Sequence, residues 1–258
     1  MANPAQQLFD LSGQVAVVTG GGSGLGAAAA RALRNAGATV IILGRRADVL
    51  QEQADRLGAQ AMRCDTRERT QVSAVMQEVL ARHGRLDILV NAAGIHRKCP
   101  SLDFPDEEWI AVHAVNTHGS FICATEALRH MRTAGHGKII NFCSYGSANG
   151  LPESVAYASS KGGLRQMTKS LAIEFAPAGI QVNAIEPGWF KTEMTSAMFS
   201  DPAWLERTQR RIPAGRPGDP QDLDGAVIFL ASRASDYVTG IALPVDGRSG
   251  RVKSTKGR

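Results

Sequence analysis

Val15-Ala16-Val17-Val18-Thr19-Gly20-Gly21-Gly22-Ser23-Gly24-Leu25-Gly26 decides the fold. It is a β-branched run that breaks into glycines, and an Ala-rich helical stretch follows over Leu25 to Asn35. A buried strand, a tight turn and a helix in that order are the start of a βαβ unit. Outward from it the alternation continues. Strands are predicted over Thr39–Leu43, Ala61–Cys64, Leu86–Val90, Lys138–Phe142, Gln181–Ile185 and Ile241–Val245. Helices are predicted between them, over Val49–Leu57, Gln71–His83, Trp109–Met131, Tyr157–Phe175 and Leu223–Leu230. Such alternation implies right-handed crossovers and a parallel sheet, hence an α/β fold.

The chain of 258 residues is long enough for one large core, and 1–247 read as one domain with no linker or internal repeat. Within it, 187–220 carry no strand signal and read as a lid. No apolar run is long enough to span a bilayer, so no membrane association is expected. The cysteines (Cys64, Cys99, Cys123, Cys143) are scattered without a CxxC pair, which predicts reduced thiols in a cytoplasmic protein and no metal site. The net charge of +5 equals the contribution of Arg248, Arg251, Lys253, Lys256 and Arg258. Residues 248–258 therefore read as a disordered basic tail on a neutral body, which argues against a nucleic-acid partner.

The glycine turn suits a pyrophosphate. Gly20, Gly24 and Gly26 permit close backbone approach, and the helix that begins near Ser23 and Leu25 presents free N–H groups and a positive dipole end. In a dinucleotide fold the end of the second strand selects the cofactor: an acid binds the ribose 2′-hydroxyl, and Arg accommodates a 2′-phosphate. Here Gly44 is followed by Arg45 and Arg46, which predicts NADP in preference to NAD.

Tyr157 and Lys161 stand four apart on a predicted helix and share a face. A phenol is a poor proton donor at neutral pH, and a nearby ammonium is expected to lower its pKa. The Ser144 hydroxyl could hold the oxygen that gains or loses the proton. The same Tyr–Lys spacing also occurs on solvated helix faces, so the pair alone does not establish a site.

Together these features resemble the short-chain dehydrogenase/reductase family over nearly the whole chain. The matching motifs are the glycine loop at 19–26, Asp65, Asn91-Ala92-Ala93-Gly94, Asn116, Ser144, Tyr157-x-x-x-Lys161, and Pro187-Gly188 followed by Thr192. The resemblance implies a doubly wound Rossmann domain with a seven-stranded parallel sheet, assembled as a homotetramer or homodimer. It implies that Tyr157 is the general acid or base, and that Lys161 lowers its pKa and holds the nicotinamide ribose. Ser144 would orient the substrate oxygen, and Asn116 would position a water in a proton relay. Asp65 and the N–H of Thr66 would hold the adenine, and Asn91, Ala92 and Gly94 would line its ribose. Pro187, Gly188 and Thr192 would hold the nicotinamide carboxamide. The chain departs from the family in having Ala92 for a second Asn and Arg248 after Gly247.

Arg97, Lys98 and Lys191 are candidate substrate contacts, since cations facing the pocket suit a carboxylated or polyhydroxylated small molecule. The segments 185–195 and 211–216 resemble the sugar-acid branch typified by gluconate 5-dehydrogenase. Alternatives are a 3-oxoacyl-thioester reductase, a general carbonyl reductase, or a non-catalytic dinucleotide-sensing protein.

Overall fold

The computed structural model describes residues 3–249. Seven strands form one parallel sheet: β1 (Val15–Thr19), β2 (Thr39–Gly44), β3 (Gln60–Arg63), β4 (Ile88–Asn91), β5 (Gly137–Phe142), β6 (Ile180–Pro187) and β7 (Ala242–Val245). Their order is β3-β2-β1-β4-β5-β6-β7. The helices are α1 (Pro4–Phe9), α2 (Gly24–Asn35), α3 (Ala47–Leu57), α4 (Arg69–His83), α5 (Asp106–His113), α6 (Ser120–Ala134), α7 (Val155–Phe175), α8 (Ser196–Phe199), α9 (Pro202–Gln209) and α10 (Asp224–Ala231).

Alternate side chains of each strand feed opposite layers. Ala16 and Val18 pack with α2, α3 and α10 on one face. Val15 and Val17 pack with α4, α6 and α7 on the other. Burial on both faces explains why the strands read as continuous apolar runs rather than alternating ones.

Strand order reverses between β1 and β4, so the chain leaves these neighbours in opposite directions and opens a crevice at their carboxyl ends. Thr19 fastens the two edges of the crevice. Its buried hydroxyl accepts from the N–H groups of Ala92 and Ala93, both at 3.1 Å, and donates to the Val90 carbonyl.

Three differences from the sequence reading are physical. The predicted helix over Trp109–Met131 is divided: α5 and α6 are joined by a π-helical turn over Ala114–Gly119. Such a turn inserts a residue and re-aims its neighbours, and here Asn116 points into the core. The 187–220 segment holds two short helices, α8 and α9, and is tied back by a bridge between Phe190 and Gly218. Its aromatics mostly pack on one another: Trp204 meets Trp189 edge-on at 5.1 Å and Phe199 at 5.3 Å. Phe190 alone of these four joins the main core. Of the basic tail, Arg248 and Ser249 close a turn on Asp246, and the remainder lies outside the described residues.

Thr19→Val keeps shape but leaves two N–H groups without their acceptor. It should lower the unfolding free energy by about 2–4 kcal/mol, read as a shift in urea midpoint at unchanged slope.

Candidate active site

The crevice is one groove with two lobes that share Gly20, Ser23, Arg45, Arg46, Ala93, Gly94 and Ile95. The narrower lobe, about 200 Å³, continues to Asp65 and Thr66. The wider, about 690 Å³, reaches Ser144, Tyr157, Lys161, Pro187, Gly188 and Thr192.

The floor of the groove requires glycine at two places. Gly20 adopts φ +67°, and a β-carbon there would lie 2.9 Å from the Ala93 backbone. At Gly26 it would lie 2.3 Å from the Gly20 carbonyl oxygen. The loop can thus be close to a ligand's backbone-facing oxygens without a side chain intervening. No side chain caps the first turn of α2, whose free N–H groups and dipole end face the groove at Gly24, Leu25 and Gly26. Arg45 and Arg46 flank both lobes. Arg46 reaches across to Glu193 at 3.5 Å. An uncapped helix end, a glycine floor and two guanidiniums fit a phosphorylated dinucleotide lying along the groove.

At the far end, α7 presents Tyr157 near its first turn and Lys161 one turn later. Ser144 caps a short helical turn after β5, its Oγ accepting from the Gly146 N–H at 3.0 Å. Lys161 is buried and donates through Nζ to the Phe142 carbonyl at 2.6 Å. Burial lowers its pKa to about 8. Burial also raises the Tyr157 phenol above its ordinary value, against a smaller lowering by the Ser144 hydroxyl. Desolvation is thus the largest influence on the phenol, and the Lys161 ammonium donates to the Phe142 carbonyl.

Gly94 separates the ammonium from Asn116. A β-carbon there would lie 3.5 Å from Lys161 Nζ and 3.3 Å from Asn116 Oδ1. Asn116 itself lies behind the groove. Its Oδ1 accepts from the Ile95 N–H at 2.8 Å, and its Nδ2 donates to the Ile95 carbonyl and to Ser160 Oγ, both at 3.0 Å. The amide is therefore committed to holding the loop after β4 against α7.

Most of the anticipated residues converge on the groove; besides Asn116, three do not. Asn91 does not line the adenine-ribose region: it is buried, and Nδ2 donates to Asn141 Oδ1 and the Ser120 carbonyl. Lys98 pairs with Glu153 at 3.2 Å outside the lining, and Lys191 is exposed beyond it. Arg97 does border the cleft, paired with Glu108 at 2.9 Å. Asp65 lines the narrow lobe, its carboxylate held low by Arg67, which it accepts through both oxygens. Sequence reasoning set aside two contributors. Thr19 looked like the end of a strand, and His96, whose ring packs tilted on Tyr157, reads in the sequence only as one of the cations at 96–98.

A Rossmann crevice that ends in a Ser–Tyr–Lys cluster defines an oxidoreductase that uses a nicotinamide dinucleotide. A family model described as "Enoyl-(Acyl carrier protein) reductase" matches residues 20–247. The chain belongs to the short-chain dehydrogenase/reductase family, whose members act on CH–OH groups with NAD(P). It is 42% identical over 246 residues to 2-dehydro-3-deoxy-D-gluconate 5-dehydrogenase of Bacillus subtilis, covering 93% of this chain and 95% of that one. It is 40% identical over 245 residues to 5-keto-D-gluconate 5-reductase of Escherichia coli K12, covering 93% and 96%. The crystal structure of a gluconate 5-dehydrogenase from Burkholderia cenocepacia, in complex with NADP and tartrate, superposes with a TM-score of 0.90. It is 42% identical, with 94% of this chain and 97% of that one covered.

The low Lys161 pKa has a consequence for stability. The unfolded chain holds that proton to its ordinary value near 10.5, the folded chain only to about 8. Stability should therefore rise between pH 8 and 10.5, where the unfolded state binds more protons. Lys161→Met should abolish that rise and add about 1–3 kcal/mol at pH 7, after the loss of one hydrogen bond, as read by urea denaturation at several pH values.

Proposed function

We propose that the chain interconverts a secondary hydroxyl and a ketone on a sugar acid, with NADP preferred to NAD. The observation that carries the chemistry is the convergence of Ser144, Tyr157 and Lys161 at one end of the glycine-floored groove. A bound nicotinamide supplies or accepts the hydride at the substrate carbon. In reduction, Tyr157 gives its phenolic proton to the substrate oxygen; in oxidation it takes that proton back. Ser144 holds the same oxygen, and Lys161, still mostly charged at pH 7, stabilises the phenolate left behind. Asn116 positions Ile95 and α7 rather than offering its amide to solvent.

The preference for NADP follows from Arg45 and Arg46 and the absence of an acid at the end of β2. The sugar-acid reading is supported by the relatives' activities and by Arg97 at the cleft. Residues 187–220 serve as the lid, since Thr192 to Thr195 border the cleft from that side. The 3-oxoacyl-thioester reductase and the general carbonyl reductase would use the same Ser–Tyr–Lys cluster, and substrate turnover separates them. A protein that only senses the dinucleotide has no use for that cluster.

A turnover screen with NADPH and NADH against keto-sugar acids, simple ketones and 3-oxoacyl thioesters tests the reading. The expectation is turnover of keto-sugar acids with a lower KM for NADPH. Thioester turnover without it would overturn the reading. Tyr157→Phe should lose at least 100-fold in kcat while keeping its cofactor affinity, since proton transfer contributes about 10²–10⁴-fold.

The chain is further proposed to assemble as a homodimer or homotetramer. Trp109, Ile110 and Phe121 are large, apolar and exposed and border one shallow surface of α5, α6 and α7 with Met167, and a second copy would cover this face. Light scattering at micromolar concentration should give a multiple of 27.4 kDa, and a monomeric mass would contradict it.

A further inference from the structure

His96 is fixed from two sides. Its ring packs on the Tyr157 ring, with centroids 4.5 Å apart and planes inclined at 41°. Its Nε2 lies 3.0 Å from Ser154 Oγ, and that hydroxyl also donates to the Pro152 carbonyl at 3.1 Å. A hydroxyl has one proton to give. With it spent on Pro152, Ser154 Oγ accepts from the imidazole, so Nε2 carries the ring proton and Nδ1 is bare.

Nδ1 makes no hydrogen bond among the described residues, nor is it one of the buried atoms left without a partner, so it reaches solvent. The open space that His96 borders is the cleft, alongside Ser144, Tyr157 and Met194. The loop around it is pinned as well. Cys99 donates its N–H to the Glu153 carbonyl at 2.9 Å, and Lys98 pairs with the Glu153 carboxylate. Glu153 is held at φ 56°, a left-handed conformation that a residue with a β-carbon keeps only when its surroundings impose it. Burial first, then the charges of Lys98 and Arg97, push the imidazole below its ordinary pKa, so it stays neutral at pH 7.

We propose that His96 is a specificity-determining residue whose Nδ1 accepts a hydrogen bond from a substrate hydroxyl beside the reacting carbon. The inference rests on the sugar-acid reading. A polyhydroxylated acid offers such a hydroxyl, and a 3-oxoacyl thioester offers none. A preformed acceptor discriminates because a substrate without the hydroxyl leaves it unpaired.

The test compares D-gluconate with 4-deoxy- and 6-deoxy-gluconate in the wild type and in His96→Phe, which keeps a ring against Tyr157. The wild type should favour gluconate over one analogue by about three- to tenfold in kcat/KM. His96→Phe should bring that ratio close to one, with NADP affinity by calorimetry unchanged. A ratio that survives in His96→Phe, or a fall shared equally by all three substrates, overturns the proposal. If His96→Phe is inactive throughout, His96→Gln, which retains an acceptor, must restore the preference; its failure to do so also overturns the proposal. A wild type that ignores all three acids but reduces acyl thioesters removes the sugar-acid reading and this inference together.

Discussion

The carboxamide of Asn116, out of reach of solvent, accepts from the Ile95 N–H and donates to the Ile95 carbonyl and the Ser160 hydroxyl. Three elements meet there: the loop after β4, the π-helical turn between α5 and α6, and α7. The loop supplies Ile95, His96 and Arg97 to the cleft, and α7 supplies Tyr157 and Lys161. A hydrogen bond of this kind contributes about 1 kcal/mol, but a buried amide stripped of its partners costs more. The Asn116 side chain therefore ties one wall of the groove to the other. A regular helix would turn position 116 elsewhere, and this gives the break over Ala114–Gly119 a use.

Within that frame, burial works against both halves of the acid–base pair. It brings Lys161 down toward neutrality and holds the Tyr157 phenol protonated. Neither change favours the folded protein. Only the Lys161 shift moves its group toward the proton-transfer range, and the fold offsets the cost with a sheet buried on both faces.

The fold was legible because its signal is long and periodic. Each predicted strand formed within a residue or two of its expected bounds, and the glycine turn at 20–26 located the crevice. The cluster at Ser144, Tyr157 and Lys161 was legible for a different reason: its motifs are spaced along the chain in a family pattern. Where the reading failed, the information was three-dimensional. Nothing in the composition of Trp109–Met131 marks a π turn, because the turn is stabilised by partners in Ile95 and Ser160. Asn91 shares a motif with groove residues but sits at the end of β4, facing Asn141 on β5. The cations at 97, 98 and 191 looked alike in sequence. Local acids decide their fates: Glu108 keeps Arg97 at the cleft edge and Glu153 draws Lys98 off it.

The aromatic packing of the 187–220 segment has an optical consequence. The chain has three tryptophans, and two of them, Trp189 and Trp204, are in edge contact there, one residue beyond Gly188 in the case of Trp189. The third, Trp109, lies on the exposed face of α5. Indole emission is thus weighted toward the segment that borders the cleft, so the molecule carries its own chromophoric label beside the site where hydride and proton change hands.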